Sequence, residues 1–121
     1  MRNILIIGAG RSASSLIQYL LQKSEAENLH LIIGDLSLEL AQRKTNNHKN
    51  ATAIAFDIFN AEQRHIEIER ADIVISMLPA HMHIEVAKDC ITYKKHMVTA
   101  SYISDAMQEL DAAAKDNNLI F

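Results

Sequence analysis

The chain opens with a short apolar strand that runs straight into a glycine turn: Ile4-Leu5-Ile6-Ile7, then Gly8-Ala9-Gly10-Arg11-Ser12-Ala13. A G-x-G-x-x-A pattern set directly after a strand and directly before a helix constrains the fold more than any other feature of these 121 residues. It demands a turn tight enough for the main chain to face an anion. Gly8 lets the chain leave the strand through backbone angles that a side chain would forbid. Gly10 has no Cβ, so a phosphate can approach the main chain closely, and Ala13 is small enough for the new helix to pack tightly on a sheet. That helix is expected from Arg11 to about Lys23, with its unpaired N–H groups and positive dipole end toward the anion. Ser12 adds a hydroxyl donor, and Arg11 can lie across a pyrophosphate.

The rest of the chain alternates strand-like and helix-like stretches without a sizeable linker. Apolar runs at Leu29–Ile33, Ala51–Phe56, Asp72–Ser76 and His96–Thr99 read as strands two to five, and Leu119–Phe121 as the start of a sixth. Between them, the periodicity predicts helices over Ser12–Lys23, Leu38–Lys44, Ala61–Glu69, His81–Tyr93 and Asp105–Asp116, with Ser37 and Ser104 as caps. Strands apolar on both sides and separated by helices imply a parallel sheet covered on both faces. The expected architecture is therefore a doubly wound α/β Rossmann fold in three layers, α/β/α, with strand order 3-2-1-4-5-(6). The chain stops at Phe121, inside what reads as a strand. A fragment is therefore expected, residues 1–121 being the N-terminal dinucleotide-binding domain of a longer enzyme.

Composition narrows the partners. A net charge of −3 with no block of like charge gives no sign of a nucleic-acid surface or a membrane patch, and neither is expected as a partner. The single cysteine, Cys90, excludes an internal disulfide and suits a reducing compartment, so a cytoplasmic location is expected. Cys90 itself reads as a small core residue of a helix.

In such sheets ligands bind outside the carboxyl ends of the strands, at the point where the strand order reverses. After strand two stands Asp35, 27 positions beyond Gly8. Its carboxylate can accept from both hydroxyls of an adenine ribose and would repel a 2′-phosphate, which predicts NAD in preference to NADP. The alternative for Asp35 is a helix-capping role. After strand three, Asp57 can take a hydrogen bond from the adenine amino group with Ile58 against the ring; Asp57 as a capping acid is the alternative. After strand four, Met77, Leu78 and Pro79 would cross beside the nicotinamide ribose. His81 and His83 do not make a metal site, since residues two apart on a helix diverge and nothing completes a tetrahedral set. After strand five, Ser101 and Tyr102 set two hydroxyls where the nicotinamide or a substrate group would lie. No residue is assigned as catalytic acid or base.

Three segments together resemble a known family: Ile4 to Ala13, then Ser76-Met77-Leu78-Pro79 ahead of a His-rich helix start, then Val98-Thr99-Ala100-Ser101-Tyr102-Ile103-Ser104 followed by Met107-Gln108-Glu109-Leu110-Asp111. They are similar to the N-terminal domain of the saccharopine dehydrogenase family, which includes saccharopine reductase and carboxynorspermidine dehydrogenase. The likeness spans essentially the whole chain, and the T-A-S-Y-x-S segment is its most specific part. The resemblance implies an NAD(P)-dependent oxidoreductase that moves a hydride between the nicotinamide and the carbon beside a secondary amine of an amino acid. It implies that Gly8, Gly10, Arg11, Ser12 and Ala13 hold the pyrophosphate, Asp35 the ribose, and Asp57 and Ile58 the adenine. Met77, Leu78 and Pro79 would line the nicotinamide side, and Ser101 and Tyr102 would face cofactor and substrate. NADP-using members tend to carry a Ser-Arg pair after strand two; this chain has Asp35-Leu36-Ser37, which again points to NAD. Without a substrate domain, cofactor binding with little or no turnover is expected. Two rival readings are a regulatory NAD-sensing Rossmann domain of the kind that gates potassium transporters, which would dimerise and do no chemistry, and a semialdehyde or dihydrodipicolinate-type reductase, whose catalytic signatures are missing.

Overall fold

The computed structural model describes residues 2–10, 13–46, 48–78 and 83–99. Its elements follow in strict alternation: β1 (Arg2–Ile7), α1 (Ser14–Ser24), β2 (Leu29–Asp35), α2 (Leu38–Thr45), β3 (Ala51–Ala55), α3 (Ala61–Arg70), β4 (Ile73–Ser76), α4 (His83–Thr92) and β5 (His96–Thr99). The five strands form one parallel sheet in the order β3-β2-β1-β4-β5. The expected strand order thus stands over β1 to β5; the sixth strand and the helix before it, at 105–116, lie outside the described residues.

Period-two alternation divides the strand side chains between two cores. Leu5, Ile7, Ile32, Val74 and Met97 point to one face, where Ile68 of α3 and Val86, Ala87 and Cys90 of α4 cover them. Ile4, Ile6, Leu31, Ile33 and Ile75 point to the other, under Ile17 and Leu21 of α1 and Ala41 of α2. The sheet is thereby a middle layer between two pairs of helices, and each fully buried large apolar side chain contributes about 1.5–3 kcal/mol by leaving water. β3 departs from the expectation of strands buried on both sides. As an edge strand it leaves Thr52 and Ala55 exposed.

The starts of α2 and α3 stand where expected, and that of α1 does not. Ser37 caps α2 through its hydroxyl, which accepts from the Leu40 amide at 3.2 Å. α1 begins at Ser14, two residues later than expected, because the Ala13 amide donates to the Gly10 carbonyl at 3.1 Å and closes a tighter turn first. α3 is capped by Asn60, whose Oδ1 accepts from the Gln63 amide at 3.1 Å. Asp57 is therefore not the cap of α3.

Candidate functional site

The ends of β1, β2 and β4 converge where the strand order reverses. The Gly8 amide donates to the Gly34 carbonyl and the Met77 amide to the Ile7 carbonyl, both at 2.8 Å. Gly8 has φ +99°, and a Cβ there would lie 3.3 Å from both the carbonyl carbon and oxygen of Met77. Glycine is thus needed twice over, for the backbone angle and for the close passage of the chain leaving β4. Gly10 is the opposite case. It is exposed, and a Cβ added to it would meet none of the described residues within 4 Å. Among the described residues no packing explains a glycine at position 10; its bare side is clear of them, as an approaching phosphate would require. Ala13, fully buried, seats the start of α1 on the sheet.

Asp35 closes this turn from the neighbouring strand. Its Oδ2 accepts from the Ala9 amide and its Oδ1 from the Ser37 amide, each at 2.9 Å. Each carboxylate oxygen carries two acceptor sites, so both retain capacity for a ligand hydroxyl. Ser37, not Asp35, caps α2, which corrects the capping alternative: Asp35 braces the glycine turn and the entry to α2 together.

Beside Gly8 and Asp35 opens a shallow, largely apolar pocket of about 80 Å³, walled by Leu36, Phe56, Ile58 and Leu78. Leu36 stands on its rim at 72% exposure, a large apolar group left open to solvent. Phe56 owes its seat to Gly34, where a Cβ would lie 2.9 Å from the Phe56 Cβ. Gly34, Leu36 and Phe56 escaped the sequence reading. The available signal was a glycine within an apolar strand and a leucine directly after its terminal acid.

The other expected residues divide. Ile58 lines the pocket, whereas Asp57 is exposed and turns its Oδ1 onto the Phe59 amide at 2.9 Å. Leu78 lines the pocket, while Met77 packs half-buried against the α1–α2 core. Met77 therefore fills core as well as bordering the site. Arg11, Ser12, Pro79, His81, Ser101 and Tyr102 lie outside the described residues. Among the described residues no group of three or more His, Cys, Asp or Glu is placed to hold a metal. Lys44, not foreseen, reaches from α2 to donate to Ser14 Oγ at 2.5 Å, bringing a cation to the first turn of α1. A wider polar groove of about 550 Å³ between α1 and α2 shares Ser14 and Lys44 but none of the strand-end residues.

The chain's likenesses agree with this geometry. A family model described as the saccharopine dehydrogenase NADP binding domain matches residues 4–121. The alpha-aminoadipic semialdehyde synthase of Arabidopsis thaliana is 31% identical over 93% of this chain and 12% of its own length. The saccharopine dehydrogenase [NADP(+), L-glutamate-forming] of Pyricularia oryzae is 32% identical over 95% of this chain and 25% of its own. Among solved structures, the saccharopine dehydrogenase (L-Glu forming) of Saccharomyces cerevisiae superposes with a TM-score of 0.83 at 28% identity, over 93% of this chain and 24% of that one. The chain thus spans a quarter or less of the length of these relatives.

Proposed function

The chain belongs to the saccharopine dehydrogenase NADP-binding domain family, and from that premise we propose that it is the cofactor domain of a longer oxidoreductase acting on a secondary amine or imine of an amino acid. The cofactor class is a nicotinamide dinucleotide. When bound, that group supplies the hydride donor or acceptor. The protein's part is to hold it in one orientation.

The observation that carries this reading is the pairing of Gly10 with Asp35. Gly10 leaves its face open, and Asp35 is tied through Ala9 to the same turn. A pyrophosphate against the main chain of Gly8–Ala13, with Arg11 and Ser12 beside it, would place the adenine ribose at Asp35 and the adenine between Leu36 and Ile58, near Asp57. The other half would run past Leu78, with Met77 and Pro79, toward Ser101 and Tyr102. The relatives offer no support for the sensing-domain alternative.

Within this class we propose that NAD(H) is preferred. An acid ends β2 and Leu36 follows it, so the β2–α2 connection offers no cation to a 2′-phosphate. Arg43 is engaged with Glu39 at 2.6 Å. Two facts weigh for NADP(H): the name of the family and of the Pyricularia oryzae relative, and Lys44 at the first turn of α1. Calorimetric titration with both cofactors decides. Tighter binding of NAD(H) is expected. Equal or tighter binding of NADP(H) would overturn the preference, and no binding of either would overturn the function.

A further inference from the structure

α3 conceals a buried cation. Its sequence, Ala61-Glu62-Gln63-Arg64-His65-Ile66-Glu67-Ile68-Glu69-Arg70, is rich in charge, yet Arg64 is only 7% exposed. Its Nε donates to Asp89 Oδ2 on α4 at 2.5 Å, and its Nη1 donates to the carbonyl oxygen of Ile58 at 2.7 Å. Glu85 Oε2 stands 3.8 Å from Nη2, and the second oxygen of Asp89 faces His65 Nε2 at 3.3 Å.

Stability alone is a poor reason for such a pair. Burying two charges costs much of what their attraction returns, and apolar residues of similar volume often do as well or better. Apolar residues cannot hold a carbonyl. A guanidinium is a rigid planar fork, so one donor can engage Asp89 while another grips Ile58 at a set distance and angle. Gln63, its neighbour, works on the same segment: its Nε2 donates to the Ala55 carbonyl at 2.7 Å and its Oε1 accepts from the Asp57 amide at 3.1 Å. Two consecutive residues of α3 therefore hold the chain from Ala55 to Ile58, and Ile58 is a wall of the strand-end pocket.

We propose that Arg64, braced by Asp89, is a positioning residue for the adenine end of the cofactor site, fixing the Ile58 carbonyl so that the Ile58 side chain presents its face to the ring. The inference rests on the cofactor reading above. It assigns a binding role to a side chain that touches no ligand.

The test uses ADP-ribose, which carries the adenine half and lacks nicotinamide, with three variants of the chain. Arg64→Lys keeps the charge and loses the fork. Arg64→Met with Asp89→Leu removes the pair and refills the space. Asp89→Asn weakens the brace alone. For Arg64→Lys and the double variant, a lowered thermal midpoint is expected, because the buried Ile58 carbonyl loses its donor. At a temperature where both are fully folded, ADP-ribose affinity should be lowered about tenfold, the scale of one charged hydrogen bond. The fall for NAD(H) should be the same, because only the shared half is touched. Parent-like ADP-ribose binding in a folded Arg64→Lys variant would reduce Arg64 to a structural role and overturn the inference. Should the double variant fail to fold, Arg64→Lys and Asp89→Asn carry the test. A parent chain that binds no ADP-ribose would overturn the cofactor reading itself, and the inference with it.

Discussion

The amide of Ala9 donates to Asp35 Oδ2 at 2.9 Å across 26 residues of sequence, so the glycine turn and the acid at the end of β2 form one unit. The same carboxylate takes the Ser37 amide. Asp35 thus sets the shape of the turn and, in the proposed function, also reads the sugar. Changes at this residue should move stability and cofactor choice together.

Asp35→Ala leaves the Ala9 amide without its acceptor, in a part-buried position. A loss of about 1–3 kcal/mol in denaturant unfolding is expected. NAD(H) affinity should fall by more than NADP(H) affinity, narrowing the gap in calorimetric titration. An unchanged ratio of the two affinities would remove the ribose role from Asp35.

Cofactor preference should reverse when the acid is exchanged for a cation. The paired change Asp35→Ser with Leu36→Arg removes the repulsion and places a guanidinium where a 2′-phosphate would lie. NADP(H) should then bind tighter than NAD(H). Continued preference for NAD(H) in a folded protein would show that selection lies elsewhere, Lys44 being the first residue to examine.

The two glycines of the turn should separate folding from binding. At Gly8 an alanine meets φ +99° and Met77 main chain at 3.3 Å, so a loss of about 1–3 kcal/mol in stability is expected along with loss of binding. At Gly10 an alanine meets none of the described residues within 4 Å of its Cβ. Gly10→Ala should unfold near the parent midpoint and still bind dinucleotide at least tenfold more weakly, about 1.4 kcal/mol. Full binding by Gly10→Ala would mean that no phosphate approaches there.

Cys90 is fully buried, and its thiol is pushed up from 9.0 to about 12, first by burial and then by the Asp89 charge, with Lys95 opposing. The folded protein should resist thiol reagents at neutral pH and react only on unfolding. The unfolded thiol ionises near 9 and the folded one near 12. Its stabilising contribution is therefore complete below pH 9 and declines above it, by up to about 1.4 kcal/mol per pH unit until the folded thiol itself ionises. The stability of the parent relative to Cys90→Ala should be constant between pH 7 and about 8.5 and fall by up to that slope between pH 9 and about 11 in denaturant unfolding.

Most of the scaffold was legible because its signals are local. Four apolar residues before Gly8 mark β1, alternation along each run assigns side chains to faces, and Ser37 ahead of Leu38 marks a helix start. The strand order followed from handedness rules that apply to any alternating chain of this kind. Local signals reached only part of the site. Asp35 was found because the fingerprint places an acid at that spacing. Phe56 was missed because its importance depends on Gly34, a residue on the neighbouring strand.

Sequence alone determined the elements from β1 to β5, their parallel order and the glycine exit from β1, since propensity, periodicity and glycine chemistry act within a few residues. Tertiary structure decided what those residues do to one another. It set Met77 against Gly8, bound Asp35 to Ala9, and buried Arg64 of the charge-rich helix α3 against Asp89 of α4. The reason is physical: each of these contacts joins a loop or helix to a partner brought near only by the crossovers of the sheet, and no local pattern records which partner that will be.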